Sequence, residues 1–452
     1  MTGETNRRTN DSEARDAIGT TTRGLINPLT RRTFLQGAAA VSGGVVAATV
    51  AAACAPAAPG WTYRPTSPSP TDSAPTPTAT AAATATPGSH HPSPSASSAH
   101  GGQPPAGWTT HDLAARDKIR RYLGNLVPAL QGIYGPTIYA KLGTILGVAD
   151  NYPELSMPPA FMSVGPQLPL TDLLSPLRPT LQAGVKVFNL TVDETTIMVD
   201  ELASPIDALG FNGQLPGPTI RVNEGDHVRV NFTNNLHETT GIHFHGNEPD
   251  DFFQDGVPFV TELPIVPGET RAYEFTADTT GSLMYHSHHN ATDQVGRGLL
   301  GAFIVEPRVN PVQYDREYIW VSNDVLGGFT INGRGFPATV PVLSAVGERV
   351  LIRYMNEGLM MHPFHSHGFF QEVVARDGQD LGSARFRCDT LGVNPGERWD
   401  TVITADRPGI WAFHCHILSH VEGMNGMFGM VTALVVVPEK LHVDAILQFL
   451  TR

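Results

Sequence analysis

The sequence contains the same domain twice. The stretch "FNGQLPGPTIRVNEGDHVRVNFTN" from Phe211 is answered by "INGRGFPATVPVLSAVGERVLIRYMN" from Ile331, and "VPGETRAYEFTADTTGSLMYHSHH" from Val266 by "NPGERWDTVITADRPGIWAFHCHI" from Asn394. "GLLGAFIVEP" is answered in turn by "GMFGMVTALVVVP". A repeat of this length means one supersecondary plan used in tandem, with repeat cores at roughly 184–308 and 312–438. Inside each copy apolar residues alternate: Val228, Val230 and Phe232 with Arg229 and Asn231, and Val350, Ile352 and Tyr354 with Leu351 and Arg353. A period of two predicts half-buried strands, and 45 Gly and 37 Pro supply the turns between them. The expected fold class is all-β, two Greek-key domains at 184–310 and 311–452.

What precedes the repeats is of another kind. Residues 1–54 end in "TRRTFLQGAAAVSGGVVAATVAAAC", with Arg31 and Arg32 ahead of an Ala- and Gly-rich apolar run; this resembles a twin-arginine export signal. The apolar stretch is short for a permanent membrane span, and "AAAC" places Cys54 where a lipoprotein box would put its lipidated cysteine. The expectation is export, to the cell surface or beyond, with cleavage or lipid anchoring at Cys54. Residues 55–107 are Pro, Ser, Thr and Ala with almost no large apolar side chain, so they cannot bury a core and read as a solvated linker. Residues 108–183 form a partly helical extension in which Ile119, Tyr122, Leu123 and Leu126 stand at helical spacing. The formal charge is −13 and no dense Lys/Arg stripe occurs in the repeats, which excludes nucleic acid as a partner.

The chemistry lies in the histidines that the repeat superposes. "HFHG" (His243, His245) aligns with "HSHG" (His365, His367), and "HSH" (His286, His288) with "HCH" (His414, His416). Residues i and i+2 of a strand point to one face, so each pair aims two imidazoles at one place. Four such pairs at matched positions predict metal binding. By the same parity Cys415 points away from His414 and His416, so one short strand serves two sites. His362, an odd number of residues before His365, shares the face of Cys415, and His420 follows on the loop beyond. Among Met424, Met427 and Met430, Met427 is the expected axial donor, because His286 to Leu299 spans the same interval as His414 to Met427; Met424 is the alternative. Two histidines, a thiolate and a weak thioether are the donors of a blue, electron-transferring copper. In the first repeat Thr240, Ser287, Thr292 and Leu299 stand at the positions of His362, Cys415, His420 and Met427, so only the second repeat should carry this centre. His289 has the wrong parity for a ligand, and Cys388 reads as structural.

With these motifs the sequence resembles the multicopper oxidases, of the two-domain, laccase-like kind whose blue copper sits in the second cupredoxin-like domain. The resemblance covers about 184–438 and implies one type 1, one type 2 and two type 3 coppers. His243 and His365 would hold the type 2 copper, and His245, His286, His288, His367, His414 and His416 the type 3 pair. Cys415, His414 and His416 would carry electrons, and Asp255 resembles the carboxylate that serves protons to the cluster, although it equally suits a turn before Gly256. The implied activity is one-electron oxidation of phenols, aromatic amines or reduced metal ions, coupled to four-electron reduction of dioxygen to water. A homotrimer with clusters shared between subunits is also implied, since the connector Pro307–Asp315 leaves no room for a spacer domain. The rivals are a copper nitrite reductase, which needs the Cys site in the first repeat, and a non-enzymatic envelope copper-binding protein.

Overall fold

The computed structural model describes residues 109–124, 176–200, 205–325 and 328–450. The export signal, Cys54, the linker 55–107 and Leu126 lie outside them. Each repeat folds as two packed sheets. In the first, Val185–Ile197 lies between Thr180–Gln182 and the parallel strand His227–Asn234, which pairs with Thr270–Thr276; Ile206–Phe211 also pairs with Val185–Ile197. The facing sheet runs Gly217–Asn223, Leu300–Glu306, Gly281–Ser287, Ile242–His245. The second repeat reproduces the plan: Arg316–Asn323 runs parallel to Arg349–Asn356, as Val185–Ile197 does to His227–Asn234. Val342–Ala345 runs parallel to Val431–Val437, as Gly217–Asn223 does to Leu300–Glu306.

The alternation predicted for His227–Asn234 is present: Val228, Val230 and Phe232 are buried and Arg229 and Asn231 half-buried. In Arg349–Asn356 it is not, for Leu351 and Arg353 are buried as well. Leu351 packs with Val374 and Val402 beneath Val312 and Tyr314 of the interdomain connector. Arg353 pairs with Asp400 at 3.0 Å and with Glu317, and donates to Ser282 Oγ of the first domain. This strand is covered on both faces because the domains pack on each other there, with Met284, Leu300, Ala302 and Ile304 of the first against Ile319, Val321 and Met355 of the second.

Two helices complete the described chain. Thr110–Gly124 is capped by a reciprocal pair, in which Thr109 N donates to Asp112 Oδ2 at 2.7 Å and Asp112 N to Thr109 Oγ1 at 3.2 Å. It buries Tyr122 and Leu123 in the core of the second domain, with Ile119 partly buried beside them. Lys440–Leu450 was not foreseen from sequence; it packs Val443 and Ile446 on the same core.

Candidate metal centre

The site is built on two neighbouring strands of the second domain, His362–Ser366 and Gly409–Cys415. Their register sets Phe364 opposite Cys415 and His365 opposite His414. Residues opposite one another in a ladder share a face, so the sheet sorts them into two rows. Phe364, Phe413 and Cys415 turn inward and are at most 1 % exposed, whereas His365 and His414 are half-buried and His367 and His416 exposed. Behind the inner row Trp320 packs edge-on to Phe413 at 4.8 Å and Phe364 at 5.5 Å, a rigid aromatic floor under the cysteine strand.

On the inner side His362, Cys415 and His420 converge. Cys415 Sγ lies 3.9 Å from His362 Nδ1 and 3.7 Å from His420 Nδ1, and all three residues are buried. His362 Nε2 faces Asp324 Oδ2 at 3.2 Å, and the Asp324 carboxylate also accepts from the Leu359 and Met360 amides, each at 2.7 Å. Burial by itself would raise this carboxyl, but His362 and the two amides outweigh burial and hold it below its usual range. His362 Nε2 makes no well-aligned hydrogen bond, but the Asp324 charge beside it favours the proton on that nitrogen and the Nδ1 lone pair toward Cys415, as a metal ligand requires. The ring of Phe329 stacks on His420 at 3.9 Å. Burial pushes the Cys415 thiol up to about 11 and His420 down. Sequence reasoning missed Asp324 and Phe329, because nothing local to "SNDVLGGFT" marks them; only the fold brings that segment over the site.

The outer histidines form a quartet. Ring centroids of His365 lie 4.8 Å from His367, 5.7 Å from His414 and 5.4 Å from His416. The first domain repeats it: His243 lies 5.6 Å from His245 and 5.5 Å from both His286 and His288. Backbone carbonyls, which only accept, fix the tautomers. His243 Nδ1 donates to Asp255 O at 2.8 Å, His286 to Ser287 O at 2.9 Å, His365 to Asp389 O at 3.1 Å and His414 to Cys415 O at 2.7 Å. Each of these four rings therefore keeps its Nε2 lone pair for a metal. Burial lowers His243, His286, His367 and His414, and burial with the Arg398 charge lowers His245 to about 3, so protons do not compete for these nitrogens at neutral pH. Among the described residues, ring contacts join histidines within a quartet and none joins one quartet to the other.

The first-domain quartet opens on a cavity of about 370 Å³ whose far wall is Asn356, Glu357 and Leu359 of the second domain. Glu357 Oε1 is buried there without a hydrogen-bond partner, and burial raises the carboxyl to about 8 despite Arg398. Asp255 ends the turn Phe252–Gln254 before Gly256, whose φ is +79°, and its Oδ1 lies 3.3 Å from His243 Nδ1. His289 turns away, its Nε2 3.0 Å from Thr239 Oγ1. Cys388 is half-buried on the strand Phe386–Cys388 and unpaired.

Two equivalences need correction. Cys415 N donates to Met430 O at 3.0 Å and Ser287 N to Leu299 O at 3.1 Å, so Leu299 corresponds in space to Met430 and not to Met427. The interval from Cys415 to its partner is three residues longer than that from Ser287, and the extra residues form the hairpin Glu422–Gly423 with Gly426–Met427. Met427 lies on that hairpin, 36 % exposed; Met424 at its tip is 90 % exposed and Met430 fully buried. In the first domain the pocket is plugged by Gln294, not by Thr292. Thr240 Oγ1 and Ser287 Oγ both donate to Gln294 Oε1, at 2.8 and 2.5 Å, and Gln294 is fully buried.

Hard cations do not suit these sites. A thiolate with two imidazoles, all buried, selects a soft or borderline metal, and converging neutral imidazoles suit copper equally well. Residues 191–310 and 310–439 each match a family model described as multicopper oxidase. The chain belongs to the multicopper oxidases. It is 40 % identical over 154 residues to "Iron transport multicopper oxidase FET3" of Saccharomyces cerevisiae, covering 33 % of this chain and 24 % of that protein. It is 28 % identical over 302 residues to "Laccase-2" of Botryotinia fuckeliana, covering 56 % of this chain and 50 % of that one. The chain thus spans half or less of the length of these curated relatives. Among solved structures, the multicopper oxidase mgLAC superposes with a TM-score of 0.52 at 36 % identity, over 55 % of this chain and 86 % of its own. The blue copper oxidase of Nitrosomonas europaea does so at 0.52 and 32 %, over 55 % and 85 %. The expected cupredoxin-like architecture and copper chemistry of the family agree with the donor sets above.

Proposed function

We propose that this multicopper oxidase couples one-electron oxidation of a reducing substrate to reduction of dioxygen to water. The observation that carries the reading is the sorting of one strand: Cys415 inward with His362 and His420, His414 and His416 outward with His365 and His367. Copper at these sites would supply one-electron redox chemistry at the inner donors and a store of electrons for dioxygen at the outer ones. The polypeptide supplies the connection, a covalent path from Cys415 Sγ through its own peptide units to its two neighbours. Met427 is the proposed axial donor. The hairpin that carries it is absent from the first domain, as the blue site is, whereas the burial of Met430 is matched by Leu299 and is accounted for by core packing alone. His243 and His365 are proposed for the type 2 copper, the other six outer histidines for the type 3 pair. Asp255, through its contact with His243, is a proposed proton carrier.

Each quartet would supply half of such a cluster, and no ring contact joins the two among the described residues. The reading therefore includes a homotrimer in which the first-domain quartet of one copy meets the second-domain quartet of the next. Phenols and aromatic amines, or reduced metal ions, are the proposed substrates, and the leader ending at Cys54 makes an exported, surface-anchored or released protein. The nitrite reductase alternative is disfavoured because Ser287, bonded to Gln294, stands where that enzyme needs its cysteine. Cys415→Ser tests the reading: blue absorption and oxidase turnover should vanish while the outer sites still load copper, and normal turnover by that variant would contradict it.

A further inference from the structure

The helix Thr110–Gly124 belongs to neither repeat, yet it lies on the hairpin beside the blue site. Lys118 is 8 % exposed and its Nζ donates to Met427 O at 3.0 Å. Ala115 packs on Gly426, whose φ is +78°; a Cβ there would come within 2.6 Å of the Ala115 Cα and Cβ. One turn further, Tyr122 OH bonds Thr432 Oγ1 at 3.1 Å, and Thr432 stands opposite Phe413, two residues before Cys415. The Tyr122 ring lies 4.9 Å from Phe336, whose N donates to Gly429 O at 2.8 Å. The helix thus grips the segment 426–432 at both ends, while the segment's middle crosses His420, since Met430 N donates to His420 O at 3.2 Å.

We infer that this helix is a positioning element of the type 1 centre: through Lys118 and Ala115 it holds the Glu422–Met427 hairpin, and with it the Met427 thioether, in place over Cys415, His362 and His420. The inference rests on the reading of Met427 as axial donor. A hairpin of two-residue strands has little stability of its own, and the bond from a buried ammonium to a carbonyl is among the stronger single contacts available to it. Lys118 does not touch the metal and acts through the backbone of Met427.

The test uses the full chain carrying Lys118→Met, Ala115→Leu, Lys118→Arg or Met427→Leu. In copper-free protein, amide hydrogen exchange at residues 421–428 should quicken by about tenfold or more in the first two variants and stay near wild type in Lys118→Arg, which keeps a donor. In copper-loaded protein, the first two should shift the blue absorption and the type 1 electron paramagnetic resonance, leave the type 2 signal unchanged, and resemble Met427→Leu. Exchange and blue spectrum both unmoved by Lys118→Met and Ala115→Leu, while Met427→Leu shifts the spectrum, would overturn the clamp alone. A spectrum indifferent to Met427→Leu would overturn it together with the ligand assignment.

Discussion

At the scale of single residues, the proposed blue site depends on groups outside its donor set. The Asp324 charge, 3.2 Å from His362 Nε2, favours the proton on that far nitrogen while Nδ1 faces Cys415. Asp324→Asn keeps the shape but removes the charge that holds this tautomer, and should weaken copper binding at the inner site by about 10- to 100-fold, read by chelator competition while the outer sites are unaffected. Cys415 sets the pH dependence. Its thiol is raised to about 11 by burial, and copper binds the thiolate, so each metal bound there releases a proton. Affinity of the inner site should therefore rise about tenfold per pH unit from neutrality toward that value, with no opposing slope from His420, whose pKa is lowered. Blue absorbance titrated with copper at several pH values measures the slope; a flat profile would contradict a protonated thiol in the copper-free protein.

Among elements, the two domains differ at one pocket. Both raise the same pair of neighbouring strands; the second closes it with a cysteine, two histidines and a hairpin, the first with Thr240, Ser287 and Gln294. Gln294→Ala should cost about 1–3 kcal/mol for each hydroxyl left without its acceptor, measured by denaturant unfolding of the copper-free protein. The histidine pairs and the inward turn of Cys415 were legible because strand parity is a local property, written in the spacing of His362, His365, His414 and His416. The pairing of Leu299 with Met430 was not, since equal intervals between motifs conceal an insertion when the intervening loops differ. Gln294 was likewise hidden because the turn that carries it, Ala291–Gln294, differs from the 3-10 turn Leu418–His420 of the second domain. Leu351 and Arg353 read as an ordinary alternating strand because what covers them, the interdomain connector over Leu351 and Ser282 of the first domain beside Arg353, is distant in sequence.

For the whole molecule, the fold places one histidine quartet in each domain, with no ring contact between the two among the described residues. The interdomain face is filled by Arg353, Asp400 and Ser282 and by the Met284–Met355 cluster, so the domains are not free to swing their quartets together. The proposed completion by another copy predicts that sedimentation of the copper-loaded protein finds a trimer carrying all oxidase activity. The most direct measurement is anomalous scattering at the copper edge from crystals of the loaded protein. The account expects one peak among His362, Cys415 and His420 of every protomer, and three more lying between the His243–His245–His286–His288 quartet of one copy and the His365–His367–His414–His416 quartet of a neighbour. No copper at Cys415, or both quartets filled separately with no second copy against them, would contradict it.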